Sequence, residues 1–371
     1  CFLSGGLDSS LISYYLSEIS QNKIKTFNIA FNDSSFDESN YASYVSKHLG
    51  TDHCSEMFSS DTMVEILPKI WKIMDEPFSD PSLLPTFLLA VLTSNQLKVA
   101  LSGDGGDEVF AGYPTYLAHK LDSLIPKFSH NIIRLISNSI PIKHTNMSLD
   151  FKLSQFSKGL EYAPELKHQY WLGSFNDIEK RSNYTSAFKE LISNKNNLKF
   201  ILDKFNEDTH NIEGWEKHLL QDFHFYLHDD MLVKIDRTSM ANSLEVRVPF
   251  LDHSIVEFMA KVPTHLKYKG MTSKYILKEL GKKYLPNQIV NRKKKGFGIP
   301  IADWFCKSLK EPMCEIVQDK NSFINSIFKK KYTSALMSDH VQRKKNNQKL
   351  LWTLYVLENW YNTQKNAGPL F

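Results

Sequence analysis

The sequence predicts an α/β fold in which a mainly parallel sheet carries helices on both faces, followed by a largely helical C-terminal region. Over residues 1–113, short apolar segments alternate with amphipathic helical segments. This alternation is typical of a parallel sheet whose crossover connections are helices. Glycine-rich acidic loops follow the first and the last of these apolar segments. From Pro114 onward the strand pattern ends and long helical patterns replace it.

The elements of the first part follow one another in a regular order. Strands are expected at residues 1–3, 26–31, 53–58 and 99–101. The helix after the first strand carries Leu11, Ile12 and Leu16 at helical spacing. The second helix is expected to end at Gly50, and Asp61 is expected to cap the third.

The change of pattern divides the chain near residue 125. Residues 1–125 are expected to form an α/β core, and residues 126–371 a helical region. Near the end of the chain, Leu351, Leu354 and Trp360 fall at helical spacing. This spacing predicts an amphipathic helix that packs against the rest of the protein.

Composition and charge favour a soluble globular protein. Of the 371 residues, 42% are hydrophobic and 23% are charged, and the formal net charge is +4. So small an excess of positive charge does not favour nucleic acid or a membrane as a partner. No apolar run approaches the ~20 residues that span a bilayer. The four cysteines show no Cys-x-x-Cys spacing, so the expected compartment is the reducing cytoplasm.

The loop after the first strand has the composition of a phosphate-binding turn. The stretch Ser4-Gly-Gly-Leu-Asp-Ser-Ser10 combines two glycines with three serines at the start of a helix. Glycines let backbone N–H groups approach a ligand, and the helix dipole favours an anion. No Lys-Ser/Thr pair closes the loop as in a Walker-type site. Asp8 instead suits a Mg²⁺ ion shared with the phosphates, whereas an ordinary glycine-rich helix start is the simpler alternative.

A second loop of the same kind follows the strand at residues 99–101. The stretch Ser102-Gly-Asp-Gly-Gly-Asp-Glu108 again combines glycines with carboxylates. In open parallel sheets, ligands bind beyond the carboxyl ends of the strands. The two loops are therefore expected to face one crevice.

Five stretches of the chain together carry a resemblance to a known family. They are Ser4 to Ser10, Asp75-Glu-Pro77, Ser102-Gly-Asp-Gly-Gly-Asp-Glu-Val-Phe-Ala-Gly-Tyr113, Asp236-Arg237 and Glu245-Val-Arg-Val-Pro-Phe-Leu-Asp252. With them the chain resembles the synthetase domain of glutamine-dependent asparagine synthetases, a branch of the ATP pyrophosphatase superfamily. The resemblance covers essentially the whole chain and implies a sheet of the ATP pyrophosphatase type.

The resemblance also implies an AMP-forming carbon–nitrogen ligase. In this family ATP adenylates the β-carboxylate of aspartate, pyrophosphate leaves, and ammonia displaces AMP to give asparagine. The family obtains ammonia from glutamine through an N-terminal glutaminase domain, which we expect to lie outside this chain. The expected substrates are therefore aspartate, ATP, and ammonia or glutamine. A homodimer is an option that the sequence does not decide.

Residue roles follow from the resemblance, position by position. The residues assigned to the phosphates are Ser4, Gly5, Gly6, Asp8, Ser9 and Ser10. Adenosine is assigned to the backbone at Leu3, Ile29, Ser102 and Gly103. Mg²⁺ is assigned to Asp8 and Asp107. Glu245 is the candidate general base, because attacking ammonia must lose a proton. Lys274 is the candidate clamp for charge developing on a phosphate or acyl oxygen. In the alternative interpretation, Glu245 is an exposed partner of Arg247 and Lys274 is a surface lysine.

Several functional alternatives stay open at this point. The related β-lactam synthetases carry a tyrosine that helps to deprotonate an internal nitrogen nucleophile, where this chain has Asp104. Asp104 favours external ammonia, although a sugar acid or a peptide carboxylate is an alternative acceptor. A nucleotide-binding module without turnover is a hypothesis of a different class, and it predicts the loss of acidic residues that are present here. Lys293 to Lys295 either close over pyrophosphate or form a solvated face.

Overall fold

The computed structural model describes residues 1–192, 197–212, 214–292 and 295–366. Its strands are β1 (Lys25–Phe31), β2 (Asp52–Phe58), β3 (Val99–Leu101) and β4 (Glu245–Arg247). Its α-helices, in chain order, are α1 (Leu7–Ile19), α2 (Ser39–Leu49), α3 (Ser60–Ile73), α4 (Leu83–Ser94), α5 (Gly106–Phe110), α6 (Pro114–Leu124), α7 (His130–Ser139), α8 (Leu149–Gly159), α9 (Pro164–Leu172), α10 (Asp177–Asn183), α11 (Ser186–Leu191), α12 (Asn197–Asp208), α13 (Trp215–Gln221), α14 (Val233–Met240), α15 (His253–Lys261), α16 (Thr264–Lys267), α17 (Tyr275–Gly281), α18 (Asn287–Val290), α19 (Ile301–Trp304), α20 (Lys310–Gln318), α21 (Phe323–Ile327), α22 (Lys330–Val341) and α23 (Gln348–Asn366). A π-helix spans Asp222–Leu232, and 3-10 turns span Lys127–Ser129 and Pro249–Leu251.

The fold is α/β, with small parallel sheets and a large helical content. β1 pairs with β2 and β3 pairs with β4, both in parallel. Residues 1–3 hydrogen-bond to both pairs: the Phe2 N–H donates to the Leu101 carbonyl at 2.9 Å, and the Leu3 N–H donates to the Phe27 carbonyl at 2.8 Å. The hydrogen bonds therefore give the order β2, β1, residues 1–3, β3, β4. This order brings the loop after residue 3 next to the loop after β3.

The strands expected at residues 26–31, 53–58 and 99–101 are confirmed as β1, β2 and β3. The strand expected at residues 1–3 is reduced to a single parallel bridge between Phe2 and Phe27. β4 is not visible in the sequence, because Glu245-Val-Arg247 has a charged residue at each end and lacks the apolar run that marks β3.

The capping residue expected for α3 is wrong. The helix already includes Asp61 in its first turn. The Ser59 hydroxyl accepts the Thr62 N–H at 3.1 Å, so Ser59 supplies the cap. Both residues are good caps by type, and the sequence alone did not rank them. The expected end of α2 at Gly50 is confirmed, since Gly50 adopts the left-handed conformation there.

Contacts divide the described residues into two compact units. Unit 1 is drawn from Cys1–Leu67, Ser82–Leu117 and Glu213–Ile299, and unit 2 from Pro68–Pro81, Ala118–Ile212 and Pro300–Phe371. The segment that carries β4 and α17 thus belongs to the same unit as the two glycine-rich loops. The domain division near residue 125 remains a prediction.

The core of unit 1 fixes both glycine-rich loops. Leu3 and Leu11, on either side of the first loop, are each 1% exposed and belong to one buried cluster with Val290. Phe110, after the second loop, packs edge-on against Phe250 with 5.5 Å between the ring centroids. Both loops are therefore held between buried anchor residues.

Unit 2 contains the amphipathic helix expected near the end of the chain. α23 buries Leu351 and Leu354 completely and packs Trp352 and Tyr355 against Trp71. The helix is confirmed. Within the described ranges, no helix has both the length and the apolar character needed to cross a membrane.

A histidine pair occupies another part of the unit 2 core. His144, Cys306 and His340 bring ligand-type atoms within 4.8 Å of one another. However, the Nε2–H of His340 donates to the Ala302 carbonyl at 2.8 Å, and its Nδ1 accepts the Asn347 N–H at 3.1 Å. Since both ring nitrogens of His340 are used, the cluster suits packing better than metal binding.

The neutral state of His340 makes the stability of unit 2 depend on pH. Burial lowers the pKa of His340 to about 4, and its ring stacks on His144. An unfolded histidine ionises near pH 6.5. The stabilisation from neutral His340 is therefore fully present above pH 6.5 and is lost as the pH falls towards 4. We expect the free energy of unfolding to fall by about 3 kcal/mol from this group over that range, measured by urea denaturation.

The matched variant His340→Gln retains an amide donor and cannot titrate. It should show a smaller loss of stability between pH 7 and pH 4 than the wild type. An identical pH dependence in the two proteins would exclude this role for His340.

Candidate active site

The first glycine-rich loop ends at an uncapped helix N-terminus. Gly6 is the N-cap residue of α1, and no side chain caps the helix. The first backbone hydrogen bond runs from the Ser10 N–H to the Gly6 carbonyl at 3.0 Å. The N–H groups in the first turn of α1 have no partner within the helix, so they can bind an anion.

Serine hydroxyls shape the same loop. The Ser4 and Ser9 hydroxyls lie 3.1 Å apart, and Ser9 Oγ also accepts the Ser4 N–H at 3.2 Å. The Ser10 hydroxyl is buried and has no hydrogen-bond partner among the described residues. The loop therefore keeps donor capacity close to the helix start, as the sequence predicts for a phosphate site.

The second loop packs directly on the first. A Cβ added to Gly103 would lie 2.9 Å from the backbone nitrogen of Ser9, and one added to Gly106 would lie 3.1 Å from the carboxyl carbon of Asp8. The two loops are therefore in direct contact, and the prediction that they face one crevice stays a prediction.

Asp8 and Asp107 meet on one ammonium group. The Nζ of Lys274 lies 2.6 Å from Oδ2 of Asp8 and 2.7 Å from Oδ1 of Asp107. The three side chains are between 6% and 15% exposed. The sequence separates these residues by as much as 266 positions. The structure brings together the two carboxylates assigned to Mg²⁺ and the lysine assigned as the clamp, and those roles stay predictions.

Two backbone features are needed for this arrangement. Lys274 adopts a left-handed conformation with φ of 52°, which is uncommon for a residue with a side chain. A Cβ on Gly112 would lie 2.0 Å from Oδ1 of Asp107 and 2.1 Å from Cε of Lys274. Glycine is therefore required at position 112 for the acidic pair and the lysine to approach each other.

Glu108, which follows Asp107 in the chain, is a further buried acidic residue. Glu108 is 1% exposed, and burial together with the Asp107 charge raises the pKa of Glu108 to about 7. The Tyr113 hydroxyl donates to Oε1 of Glu108 at 2.6 Å. Nearby, the Tyr116 hydroxyl donates to Oδ2 of Asp222 at 2.5 Å. Sequence reasoning assigned no role to Glu108; its place within the acidic loop was the available signal.

The residues assigned to adenosine lie at or near the carboxyl side of the strands. Leu3, Ile29 and Ser102 are 1%, 2% and 4% exposed. The Ser102 N–H donates to the Arg247 carbonyl at 2.9 Å. The role of Leu3, Ile29 and Ser102 in binding adenosine stays a prediction, as does that of Gly103.

The described contacts of Glu245 are separate from those of the two carboxylates and the lysine. Glu245 is the first residue of β4, it is exposed, and its Oε1 accepts Nε of Arg247 at 2.7 Å. This is the contact that the alternative interpretation of Glu245 describes. The described interactions do not link it to Asp8, Asp107 or Lys274, so its role as a base is still a prediction from the resemblance.

Arg292 is a residue that sequence reasoning did not assign to the site. Its guanidinium forms an ion pair with Glu38 and donates to the Gly5 carbonyl at 3.1 Å. Its position in a basic run was the only signal, and that signal could not separate it from its neighbours. Of Lys293 to Lys295, the first two lie outside the described residues, and the Nζ of Lys295 donates to the Ser35 carbonyl at 3.2 Å.

Comparison with known proteins gives a consistent match. The family model described as asparagine synthase matches residues 1–362. The chain is 30% identical to asparagine synthetase [glutamine-hydrolyzing] 1 of Bacillus subtilis, over 99% of this chain and 57% of that protein. It is 30% identical to a putative asparagine synthetase of Mycobacterium tuberculosis, over 82% of this chain and 45% of that protein. An amidase of Penicillium rubens is 25% identical over 86% of this chain and 52% of that protein. The chain spans about half the length of these curated relatives.

Proposed function

Because the chain belongs to the asparagine synthase family, we propose that it carries out ATP-dependent, AMP-forming amidation of the β-carboxylate of aspartate. The observation that carries this proposal is the meeting of Asp8 and Asp107 on Lys274, beside the uncapped start of α1. Two carboxylates and one ammonium group next to an anion site form a set suited to a triphosphate and its cation. We also propose that the sheet is of the ATP pyrophosphatase type. The strand order β2, β1, residues 1–3, β3, β4 supports this proposal.

The acidic pair fits a magnesium ion by its donor chemistry. Mg²⁺ prefers oxygen ligands and is usually held by one or two carboxylates together with substrate phosphates. Oδ1 of Asp8 is buried without a hydrogen-bond partner among the described residues, so a free carboxylate oxygen is available. Asp8 and Asp107 would hold the ion, which neutralises phosphate charge when bound.

In the first proposed step, one oxygen of the aspartate β-carboxylate attacks the α-phosphorus of ATP. The bond from that phosphorus to the bridging oxygen breaks, and pyrophosphate leaves with the electron pair. The first-turn N–H groups of α1 and the loop serines bind the phosphates, and the Lys274 ammonium stabilises negative charge that develops on them. The product is a mixed anhydride of aspartate and AMP.

In the second proposed step, ammonia attacks the anhydride carbonyl carbon, and the carbon–oxygen bond to AMP breaks. The attacking nitrogen loses a proton to a base, for which the resemblance proposes Glu245. Ammonia would come from glutamine through a glutaminase domain, which is a proposal drawn from the relatives' names and from the resemblance.

Glu245→Gln separates the two steps. We expect this variant to keep ATP–pyrophosphate exchange with aspartate while ammonia-dependent asparagine formation falls about a hundredfold, because only the second step needs the base. Glu279→Gln, which removes an exposed carboxylate paired with Lys282, serves as the matched control. Equal loss of both reactions in Glu245→Gln, or loss of neither, would refute the role of Glu245 as the base.

Exchange of labelled pyrophosphate into ATP tests the proposed acceptor. Aspartate should support exchange, and glutamate, sugar acids and short acidic peptides should not. If another acid supports exchange and aspartate does not, the acceptor assignment fails.

The amidase relatives, at 25% and 23% identity, favour another carboxylate as the second candidate acceptor. Asp104, in place of the tyrosine of β-lactam synthetases, favours external ammonia in either case.

A further inference from the structure

Arg292 holds the first glycine-rich loop through its backbone carbonyls. One guanidinium nitrogen, Nη1, lies 3.1 Å from the Gly5 carbonyl oxygen and 3.5 Å from that of Ser4. The other, Nη2, pairs with the Glu38 carboxylate, and the guanidinium lies 4.0 Å from the centroid of the Tyr41 ring. The arginine side chain is 9% exposed. Such a buried arginine with several fixed contacts has little freedom to move.

The loop needs an external constraint of this kind. Gly5 has a φ of 68°, and a Cβ there would lie 2.4 Å from the backbone carbon of Tyr41. Glycine is therefore required at position 5, and Gly6 follows it directly. Two adjacent glycines have wide conformational freedom, so the peptide group between them can rotate at low cost. Without a constraint, this peptide group would flip between two orientations. One would present its N–H group at the loop surface, and the other its carbonyl oxygen.

The direction of these peptide groups decides whether the loop attracts an anion. In a trans peptide the carbonyl and the N–H point in opposite directions. Hydrogen bonds from Arg292 to the Ser4 and Gly5 carbonyls therefore turn the N–H groups of Gly5 and Gly6 away from the guanidinium. The Gly6 N–H then reaches Ser4 Oγ at 3.3 Å, which orients that hydroxyl within the loop. Rotated peptides would instead present carbonyl oxygens, which repel phosphate.

We propose that Arg292 is a positioning residue that fixes the phosphate-binding form of the Ser4–Gly6 loop. It acts through two backbone carbonyls. The inference rests on the proposed function of the loop in binding ATP phosphates. The ligand class that responds to Arg292 is accordingly the polyphosphate group, and the nucleoside part should not depend on it.

Titration calorimetry with inorganic pyrophosphate and with adenosine, each in the presence of Mg²⁺, tests the inference. Arg292→Met retains an aliphatic stem against Tyr41 and removes the donors. Its dissociation constant for pyrophosphate should rise about tenfold to a hundredfold, while that for adenosine should stay within about twofold of the wild-type value. Arg292→Lys should give an intermediate effect, because an ammonium group cannot reproduce the planar fork.

Two controls separate positioning from a general loss of structure. Lys25→Met removes an exposed ion pair with Asp52 elsewhere in unit 1 and should leave both affinities unchanged. Glu38→Gln removes the ion pair of Arg292 but leaves its bonds to the carbonyls, so pyrophosphate binding should stay within about threefold of wild type. Arg292→Met/Glu38→Gln restores charge balance if Arg292→Met alone folds poorly.

Unchanged pyrophosphate binding in Arg292→Met would overturn the inference, and so would equal weakening of pyrophosphate and adenosine. A loss in Glu38→Gln as large as that in Arg292→Met would also overturn it, since the ion pair would then be the important contact. If the wild type binds neither ligand, the proposed function fails as well. Binding of both ligands by the wild type, with no change in Arg292→Met, refutes the inference alone.

Discussion

Asp107→Asn is expected to abolish ATP–pyrophosphate exchange, with a loss of about a thousandfold, or ~4 kcal/mol of transition-state stabilisation. The carboxylate lies 2.7 Å from the Lys274 ammonium and is 13% exposed. The substitution keeps the size of the side chain and removes its charge. The loss follows because one of the two acidic groups proposed to hold the cation on the phosphates is gone.

The fold should survive this change. Lys274 keeps its ion pair with Asp8, and the bond from the Gly112 N–H to the Asp107 backbone carbonyl does not involve the side chain. Circular dichroism and the urea midpoint should stay close to the wild-type values. Asp52→Asn, which removes an exposed carboxylate, is the matched control and should retain exchange. Exchange at more than a tenth of the wild-type rate in a folded Asp107→Asn protein would remove Asp107 from the proposed mechanism.

Lys274→Met is expected to reduce exchange about a hundredfold to a thousandfold, because the ammonium group no longer stabilises phosphate charge. The same substitution should also affect the protein without nucleotide, by lowering its stability and raising its affinity for a divalent cation. Asp8 and Asp107 would then lie close together without the ammonium group that pairs with both. We expect the metal-free variant to be about 3 kcal/mol less stable than the wild type. It should bind Mn²⁺ about tenfold more tightly, measured by electron paramagnetic resonance.

Lys282→Met, at the other end of α17, removes an exposed ion pair with Glu279 and is the control for Lys274→Met. It should leave exchange, stability and Mn²⁺ affinity unchanged. Lys274→Met with wild-type Mn²⁺ affinity and wild-type stability would show that the ammonium does not neutralise the acidic pair.

The sequence predicted the two glycine-rich loops because their chemistry is local. In each loop, glycines and carboxylates follow one another within seven residues, directly after an apolar strand. The rule that ligands bind beyond the carboxyl ends of parallel strands then placed them together. Asp8 and Asp107 accordingly pair with one ammonium group in the structure, and their role in holding Mg²⁺ stays a prediction.

Contacts between distant segments could not be predicted in the same way. Arg292 reaches the Ser4 carbonyl across 288 positions, and nothing in its basic surroundings distinguishes it from a solvated arginine. β4 has a charged residue at each end and no apolar run, so its pairing with β3 depends on tertiary contacts and not on its own pattern. The same limit applies to Glu245: its type and motif suggest a base, but its exposure and its contact with Arg247 follow from the position of β4.

The proposed function requires that the chain activates a carboxylate by joining it to the α-phosphate of ATP. Transfer of oxygen from the acceptor tests it most directly. Aspartate labelled with ¹⁸O in its β-carboxylate is incubated with the protein, ATP and ammonia, and the nucleotide products are analysed by mass spectrometry. The proposed mechanism predicts AMP that carries one ¹⁸O atom, because the carboxylate oxygen stays with AMP when ammonia displaces it. Formation of ADP with the label in inorganic phosphate, or of AMP without label, would contradict the proposed mechanism.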